Sequence, residues 1–232
     1  MIGVYDYTVL LTYMSLLSAG TGIVVSLSGA GHPYIGTFFL LFCGLCDAFD
    51  GKVARTKGNR SELEINFGIQ IDSLCDIVAF GVLPACIGAA MLRVSTFFNE
   101  KVVLDDERFI TTAIKFSLFA ILILYILAAL IRLAYFNVTE EERQKTEGGV
   151  RKYYVGVPVT AAALVFPTIQ LIQYITPIDI TPVYFGITIL LALAFISRVH
   201  VPKPGLRGIL IMIGIGAAEF IAMALARYFL HK

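Results

Sequence analysis

Charge is what this sequence has little of: 15% of its 232 residues are Asp, Glu, Lys or Arg, against roughly a quarter in a soluble domain. A water-soluble enzyme needs a charged outer face and a nucleic-acid binder a basic one, so both classes are excluded. The near balance of 18 basic and 17 acidic residues points to no partner by net charge, which leaves only their positions to be informative. Cysteine is scarce, and Cys43, Cys46, Cys75 and Cys86 all fall inside apolar runs, where a disulfide framework has no place. They read as small packing residues; the single Cys43-x-x-Cys46 pair leaves a redox or metal pair as the alternative. His32, His200 and His231 have no metal-ligand spacing. No basic stretch precedes the first apolar run, so that run is expected to remain as a permanent span. Internal repeats and low-complexity tracts are absent as well.

What is present is apolar residues, 58% of the chain, in stretches of about 20 that could each cross roughly 30 Å of hydrocarbon. The hydropathy pattern predicts an all-α, polytopic integral membrane bundle of about seven helices, near 7–27, 33–54, 66–92, 110–136, 155–176, 180–198 and 207–230. Longer connections are expected only at about 93–109 and 138–154, which leaves no room for a separate soluble domain. Lysine and arginine near the helix ends divide unevenly. Twelve collect on one side, among them Lys52, Arg55, Arg60, Arg132, Arg143, Arg151 and Lys152, and six on the other. The excess places the 55–66 and 138–154 loops in the cytoplasm.

Four of the eight aspartates lie in one short region. Asp47 and Asp50 stand at i, i+3 near the end of the second predicted helix, and Asp72 and Asp76 at i, i+4 near the start of the third. Each pair therefore shares a helix face, and a hairpin brings the faces together. Each ionised carboxylate in a membrane helix costs on the order of 2.5–3.5 kcal/mol at mid-bilayer, and like charges repel besides. Lys52 and Arg55 are too few to compensate. An all-carboxylate set suits hard divalent ions, and two of them would balance four aspartates. Such a pair is what displacement at phosphorus uses to hold the attacking and leaving oxygens in line. Gly51 and Gly68 let the backbone approach a bulky ligand, Ala54 keeps the same face uncrowded, and Arg55 is placed to meet a phosphate. The alternative is a divalent-cation transporter, whose path intramembrane carboxylates also line. It gives no reason for Gly-x-x-Ala-Arg directly after Asp50.

Asp47-x-x-Asp50-Gly51-x-x-Ala54-Arg55, a spacer, then Gly68-x-x-x-Asp72-x-x-x-Asp76 resembles the signature of the CDP-alcohol phosphotransferases, integral enzymes that move a phosphatidyl-type group from a CDP-linked donor to an alcohol and release CMP. The spacer, residues 56–67, is about four residues longer than the common form. The resemblance extends over roughly residues 8–200. Through Asp72-Ser73-Leu74-Cys75-Asp76, Phe80-Gly81-Val82-Leu83-Pro84, Arg132-Leu133-Ala134-Tyr135-Phe136-Asn137 and Tyr154-Val155-Gly156-Val157-Pro158 it is similar to the phosphatidylserine synthase branch. The chain is thus expected to divide into a membrane domain at 1–200 and an additional helix of the same bundle at 201–232.

The resemblance implies two Mg²⁺ or Mn²⁺ ions, with Ca²⁺ as another possible occupant, held by Asp47, Asp50, Asp72 and Asp76. Asp76 would also act as base toward the acceptor hydroxyl. Gly51, Ala54, Arg55 and Gly68, with Asp47, would contact CDP-diacylglycerol. The polar Thr12 and Ser15 of the first span are candidates to face the nucleotide, although hydroxyls inside helices commonly bond their own backbone. Arg151 is a candidate donor-phosphate contact. For L-serine as acceptor the expected partners are Arg132 and Asn137; Arg132 reads equally well as an interface anchor of the positive-inside kind. Inositol, glycerol phosphate or an archaeal ether-lipid donor with serine remain open. The implied partners are the lipid bilayer, the CMP product and a second copy of the chain, with no nucleic acid. The implied location is a prokaryotic-type cytoplasmic membrane with the active site at the cytoplasmic face. Glu219 is read as a packing or water-facing carboxylate of the last span.

Overall fold

The computed structural model describes residues 2–28, 35–101, 108–146, 153–176, 178–202 and 206–230. Among the described residues, seven helices of 14 residues or more carry the fold. They are α1 (Leu10–Leu27), α2 (Ile35–Ala54), α3 (Glu62–Val94), α4 (Arg108–Thr146), α5 (Ala162–Ile175), α6 (Thr181–Ile196) and α7 (Leu206–Leu230). One antiparallel ribbon joins β1 (Tyr153–Val155) to β2 (His200–Pro202), with Tyr153 opposite Pro202 and Val155 opposite His200. Four apolar stretches, Tyr7–Leu27, Glu62–Val94, Thr112–Arg143 and Arg207–Ala226, are long and apolar enough to cross a membrane. α5 and α6 are shorter apolar helices, and α2 matches the others in length but carries Asp47, Asp50 and Lys52. The molecule is therefore the polytopic membrane bundle that hydropathy predicts.

Three boundaries differ from the predicted ones, each for a local reason. α3 starts at Glu62 rather than near 66 because Ser61 and Glu64 form a reciprocal capping box: the Ser61 Oγ accepts from the Glu64 N–H at 3.2 Å and the Ser61 N–H donates to Glu64 Oε2 at 2.8 Å. α4 runs ten residues past the predicted 136, through much of the expected 138–154 loop. An Arg143–Glu140 ion pair of 2.6 Å, one turn apart, supports the added turns. The helix expected at 155–176 begins only at Ala162, after a 3₁₀ turn over Val159–Ala161. Gly156 sits at φ +83°, and Pro158 holds the residue before it out of the helical region. The preceding residues pair as β1 instead, an element that hydropathy does not reveal.

α3 is not a uniform helix. Directly after Asp76 it passes through a wide π turn, Ile77–Val82, whose close brings the Leu83 N–H to the Val78 carbonyl. Pro84 has no N–H to offer the carbonyl four residues before it, that of Phe80. The buried Tyr125 hydroxyl of α4 donates to that oxygen at 2.6 Å, and the Tyr184 hydroxyl of α6 donates to the Pro84 carbonyl at 2.7 Å. Phe166 stacks on Tyr184 with ring centroids 4.6 Å apart, and Phe195 and Phe80 complete an aromatic core against Tyr125. This core fixes α3 to α4, α5 and α6 just beyond the four-aspartate region.

At the end of the bundle away from the aspartates, Arg93 closes the C-terminus of α1 by donating to the Ser26 and Leu27 carbonyls at 2.6 and 2.9 Å. Asp179 bridges α3 and α6 there, accepting from the Ser95 hydroxyl at 2.6 Å and from the backbone N–H groups of Phe97 and Thr181, each at 2.9 Å. Burial pushes the Asp179 carboxyl up, and these hydrogen bonds outweigh it and bring the pKa down to about 2. α7 packs on α5 and α2: the Thr168 hydroxyl donates to buried Glu219, and Phe220 meets Phe38 edge-on at 5.3 Å. Glu219 thus takes the packing role among the readings open to it.

Candidate metal and donor-binding site

α2 ends and α3 begins at the same end of the bundle, and the hairpin between them stacks the aspartate faces as their spacing requires. Asp47, Asp50 and Asp72 each present a carboxylate oxygen within 4.8 Å of the other two. Asp76 is one helical turn, about 6 Å, further along α3. It is buried and does not belong to that trio. Among the described residues Lys57 pairs with Asp6 and Glu64 and Arg143 with Glu140, and no ion pair reaches Asp47, Asp50 or Asp72, so no cationic side chain neutralises the trio. Three converging, unpaired carboxylates with only oxygen donors fit a hard divalent cation.

Neighbouring polar groups hold the trio in place. The Gly51 N–H donates to Asp50 Oδ1 in a close contact, and the Thr12 hydroxyl of α1 donates to Asp50 Oδ2 at 3.5 Å. Thr12 therefore reaches the site, by way of a carboxylate. Ser15, one turn on, is buried, and its carbonyl accepts from Cys43 Sγ at 3.3 Å, which makes Cys43 a packing residue at the α1–α2 contact. Cys46 is likewise buried, and both thiols are free. The Arg55 guanidinium lies back over Gly51, with Nη1 3.4 Å from where a Cβ would stand, an ordinary contact distance. Arg55 itself is exposed at the end of α2, and Ala54 is half-buried beside it.

On the α4 side, Asn137 Nδ2 donates to Ser73 Oγ at 2.7 Å, which ties α4 to the residue next to Asp72. Ser73 thus adjoins the trio and holds α4, a contact that the motif hides because Ser73 occupies an unspecified position within Asp72-Ser73-Leu74-Cys75-Asp76. Arg132 is buried, with Nε donating to the Val157 carbonyl at 3.1 Å and Nη2 to that of Gly156 at 3.4 Å, and its guanidinium lies 5.5 Å over the Phe136 ring. These bonds pin the backbone that enters α5, a contact the sequence reading did not foresee. Arg151 lies outside the described residues.

Lys57 closes the outer edge, reaching Asp6 at 2.5 Å and Glu64 at 2.7 Å. Its hydrogen bond holds the Asp6 carboxyl below the usual carboxylate range. The tie joins the segment before α1 to the hairpin and to the first turn of α3.

The sequence model of the CDP-alcohol phosphatidyltransferases matches residues 8–196. The chain belongs to this family. The match to the CDP-alcohol phosphatidyltransferases ends where α6 ends, so α7 lies outside it. Among curated proteins, a CDP-diacylglycerol–serine O-phosphatidyltransferase from Saccharomyces cerevisiae is 36% identical over 163 residues, 66% of this chain and 50% of the relative. An archaetidylserine synthase from Methanothermobacter thermautotrophicus is 27% identical over 82% of this chain and 68% of its own length. A CDP-diacylglycerol–serine O-phosphatidyltransferase from Helicobacter pylori is 24% identical over 78% and 67%. The chain thus spans half the length of the yeast relative and about two thirds of the other two.

Proposed function

We propose that the chain transfers a phosphatidyl group from CDP-diacylglycerol to the hydroxyl of L-serine, giving phosphatidylserine and CMP, at the cytoplasmic face of a prokaryotic-type membrane. The observation that carries the reading is the unpaired trio Asp47, Asp50 and Asp72 at the α2–α3 junction of a family member. Relatives named for serine transfer support the choice of acceptor. Two divalent cations on the aspartates, Mg²⁺ or Mn²⁺, would neutralise the donor diphosphate and the charge that builds on the leaving CMP.

The chain's own residues do the rest. Gly51, Ala54 and Gly68 leave space for the cytidine diphosphate, and Arg55 meets its phosphate. Thr12 steadies Asp50 through its hydroxyl. Asp76, buried one turn beyond Asp72, takes the proton of the serine hydroxyl as its oxygen bonds to the lipid-bearing phosphorus, while the P–O bond to CMP breaks and CMP leaves with the electron pair. An aspartate is a weak base, so this transfer comes late, and positioning supplies most of the acceleration. Asn137, held on Ser73 beside Asp72, and Arg132 are assigned to the serine zwitterion. A second copy of the chain completes the assembly through helix faces bearing Gly and Ala. The archaetidylserine synthase relative favours one second reading, the same acceptor with an ether-linked donor lipid.

The deciding experiment places purified protein in bilayers with Mn²⁺, CDP-diacylglycerol and, in turn, serine, inositol and glycerol phosphate, and measures CMP release. Serine-dependent release, reduced about hundredfold in Asp76→Asn at saturating substrates, is the expected result. Release with another alcohol alone, or Mn²⁺ flux into sealed vesicles without CDP-lipid, would overturn it.

A further inference from the structure

Arg60 belongs to the hairpin between α2 and α3 and to no position of the family signature. Its side chain folds back along α3 and donates from Nη2 to the Glu64 carbonyl at 3.2 Å. The same nitrogen stands 2.9 Å from where a Cβ on Gly68 would be, so a side chain at 68 would have to displace the guanidinium. Its Nε is buried and has no hydrogen-bond partner among the described residues. A buried, unmet N–H of a guanidinium is costly, and the structure keeps it.

The location gives the unmet donor a meaning. Gly68 stands one turn before Asp72, so the guanidinium lies along the α3 face that carries the metal-site carboxylate. Yet none of the ion pairs among the described residues joins Arg60 to Asp47, Asp50 or Asp72. An unpaired planar cation and an unpaired anionic trio, side by side, suit a ligand that spans both. One phosphate of a diphosphate would meet the guanidinium fork, and its other oxygens would face cations held by the trio.

We propose that Arg60 is a donor-binding residue whose guanidinium holds the diphosphate of the CDP-linked donor beside Gly68. This rests on the reading of the site given above. Arg60 then supplies from the spacer a contact that the signature residues do not, and Gly68 serves it by leaving room for the guanidinium and the ligand together.

The test uses the full chain in phosphatidylcholine nanodiscs with Mn²⁺. CDP binding is read by titration calorimetry, the KM for CDP-diacylglycerol from CMP release, and stability from thermal unfolding. Arg60→Gln is expected to raise the Kd for CDP and the KM for CDP-diacylglycerol at least about tenfold, the scale of one lost charge-assisted hydrogen bond. The KM for serine, the Mn²⁺ affinity and the melting temperature are expected to stay near their original values, and Arg60→Lys to fall between. Unchanged CDP affinity in Arg60→Gln overturns the proposal and leaves Arg60 a strut of the hairpin, whichever way the melting temperature moves. If the unsubstituted chain binds no CDP in Mn²⁺, the reading of the whole site fails, and the role of Arg60 with it.

Discussion

Replacing Asp50 by asparagine should move stability in opposite directions with and without metal. The trio's oxygens lie within 4.8 Å of one another, where two unit charges at an effective dielectric of about 20 repel by about 3.5 kcal/mol. Asparagine keeps the shape, and its amide oxygen can still accept from Gly51 N–H and the Thr12 hydroxyl, both donors to Asp50. Two of the three repulsions disappear, about 7 kcal/mol before screening, of which solvent, relaxation and proton uptake by the metal-free carboxylates leave about a third. In excess chelator Asp50→Asn is therefore expected to unfold above the original protein, by about 4–8 °C for some 2 kcal/mol in a chain of this size. Saturating Mn²⁺ should invert the order, because the original protein gains about 2.7 kcal/mol at a hundred times its Kd and the weakened ligand set gains less. Thermal unfolding in detergent, followed by helical circular dichroism in EDTA and in Mn²⁺, reads both signs. Equal destabilisation of the variant in the two conditions would refute the argument, because the carboxylates would then be neither mutually repulsive nor ligands.

Two further substitutions test the frame around the site. Tyr125→Phe removes the donor to the Phe80 carbonyl that Pro84 cannot serve, and leaving that buried oxygen unmet should cost about 1–3 kcal/mol in thermal unfolding; a neutral result would mean that the π turn after Asp76 closes its own hydrogen bonds. Asp179→Asn tests the opposite end of the bundle. Its pKa is depressed to about 2 in the folded chain, so its contribution is present in full above the unfolded value near 3.9 and is lost as pH falls toward 2, about 1 kcal/mol once solvent screening is allowed for. The stability gap between variant and original should therefore be level from pH 5 to 8 and close below pH 4, and a gap that instead closes on raising the pH would contradict the assignment.

Much of this molecule is legible in the order of its residues because the decisive signals are local. Apolar runs show the helices, and the i, i+3 and i, i+4 aspartates show which faces must meet. The hairpin between α2 and α3 then leaves few ways for Asp47, Asp50 and Asp72 to be placed. The start of α3 is written locally as well, in the Ser61-x-x-Glu64 capping box, but hydropathy alone passes over those polar residues and sets the span near 66. Where the reading fell short, the cause is contact between distant segments. β1 exists because residues 153–155 find 200–202, some 45 positions away, and a three-residue strand has no pattern of its own. The buried bonds of Arg132 to Gly156 and Val157 depend on that same turn. Ser73 is tied to α4 only through Asn137, 64 residues on, and Arg60 comes beside α3 only because its side chain turns back onto Gly68.

The hairpin also shows why a spacer longer than the family's common form need not loosen the site. Loop closure grows only slowly with length, about 0.6 kcal/mol per doubling, so four added residues cost little. What those residues must not do is let α2 and α3 slide against each other. The capping box fixes where α3 begins, the Thr12–Asp50 contact ties α2 to α1, and Asn137–Ser73 ties α3 to α4. Deeper in the bundle, Tyr125 grips α3 at Phe80, one turn past Asp76. The Lys57 pairs at the rim are exposed enough to contribute little stability, so they orient the hairpin rather than hold the helices together. Apart from the capping box, which lies within the spacer, register between the aspartate faces is thus set inside the bundle, and this frees the other spacer residues to carry chemistry of their own, as Arg60 is proposed to do.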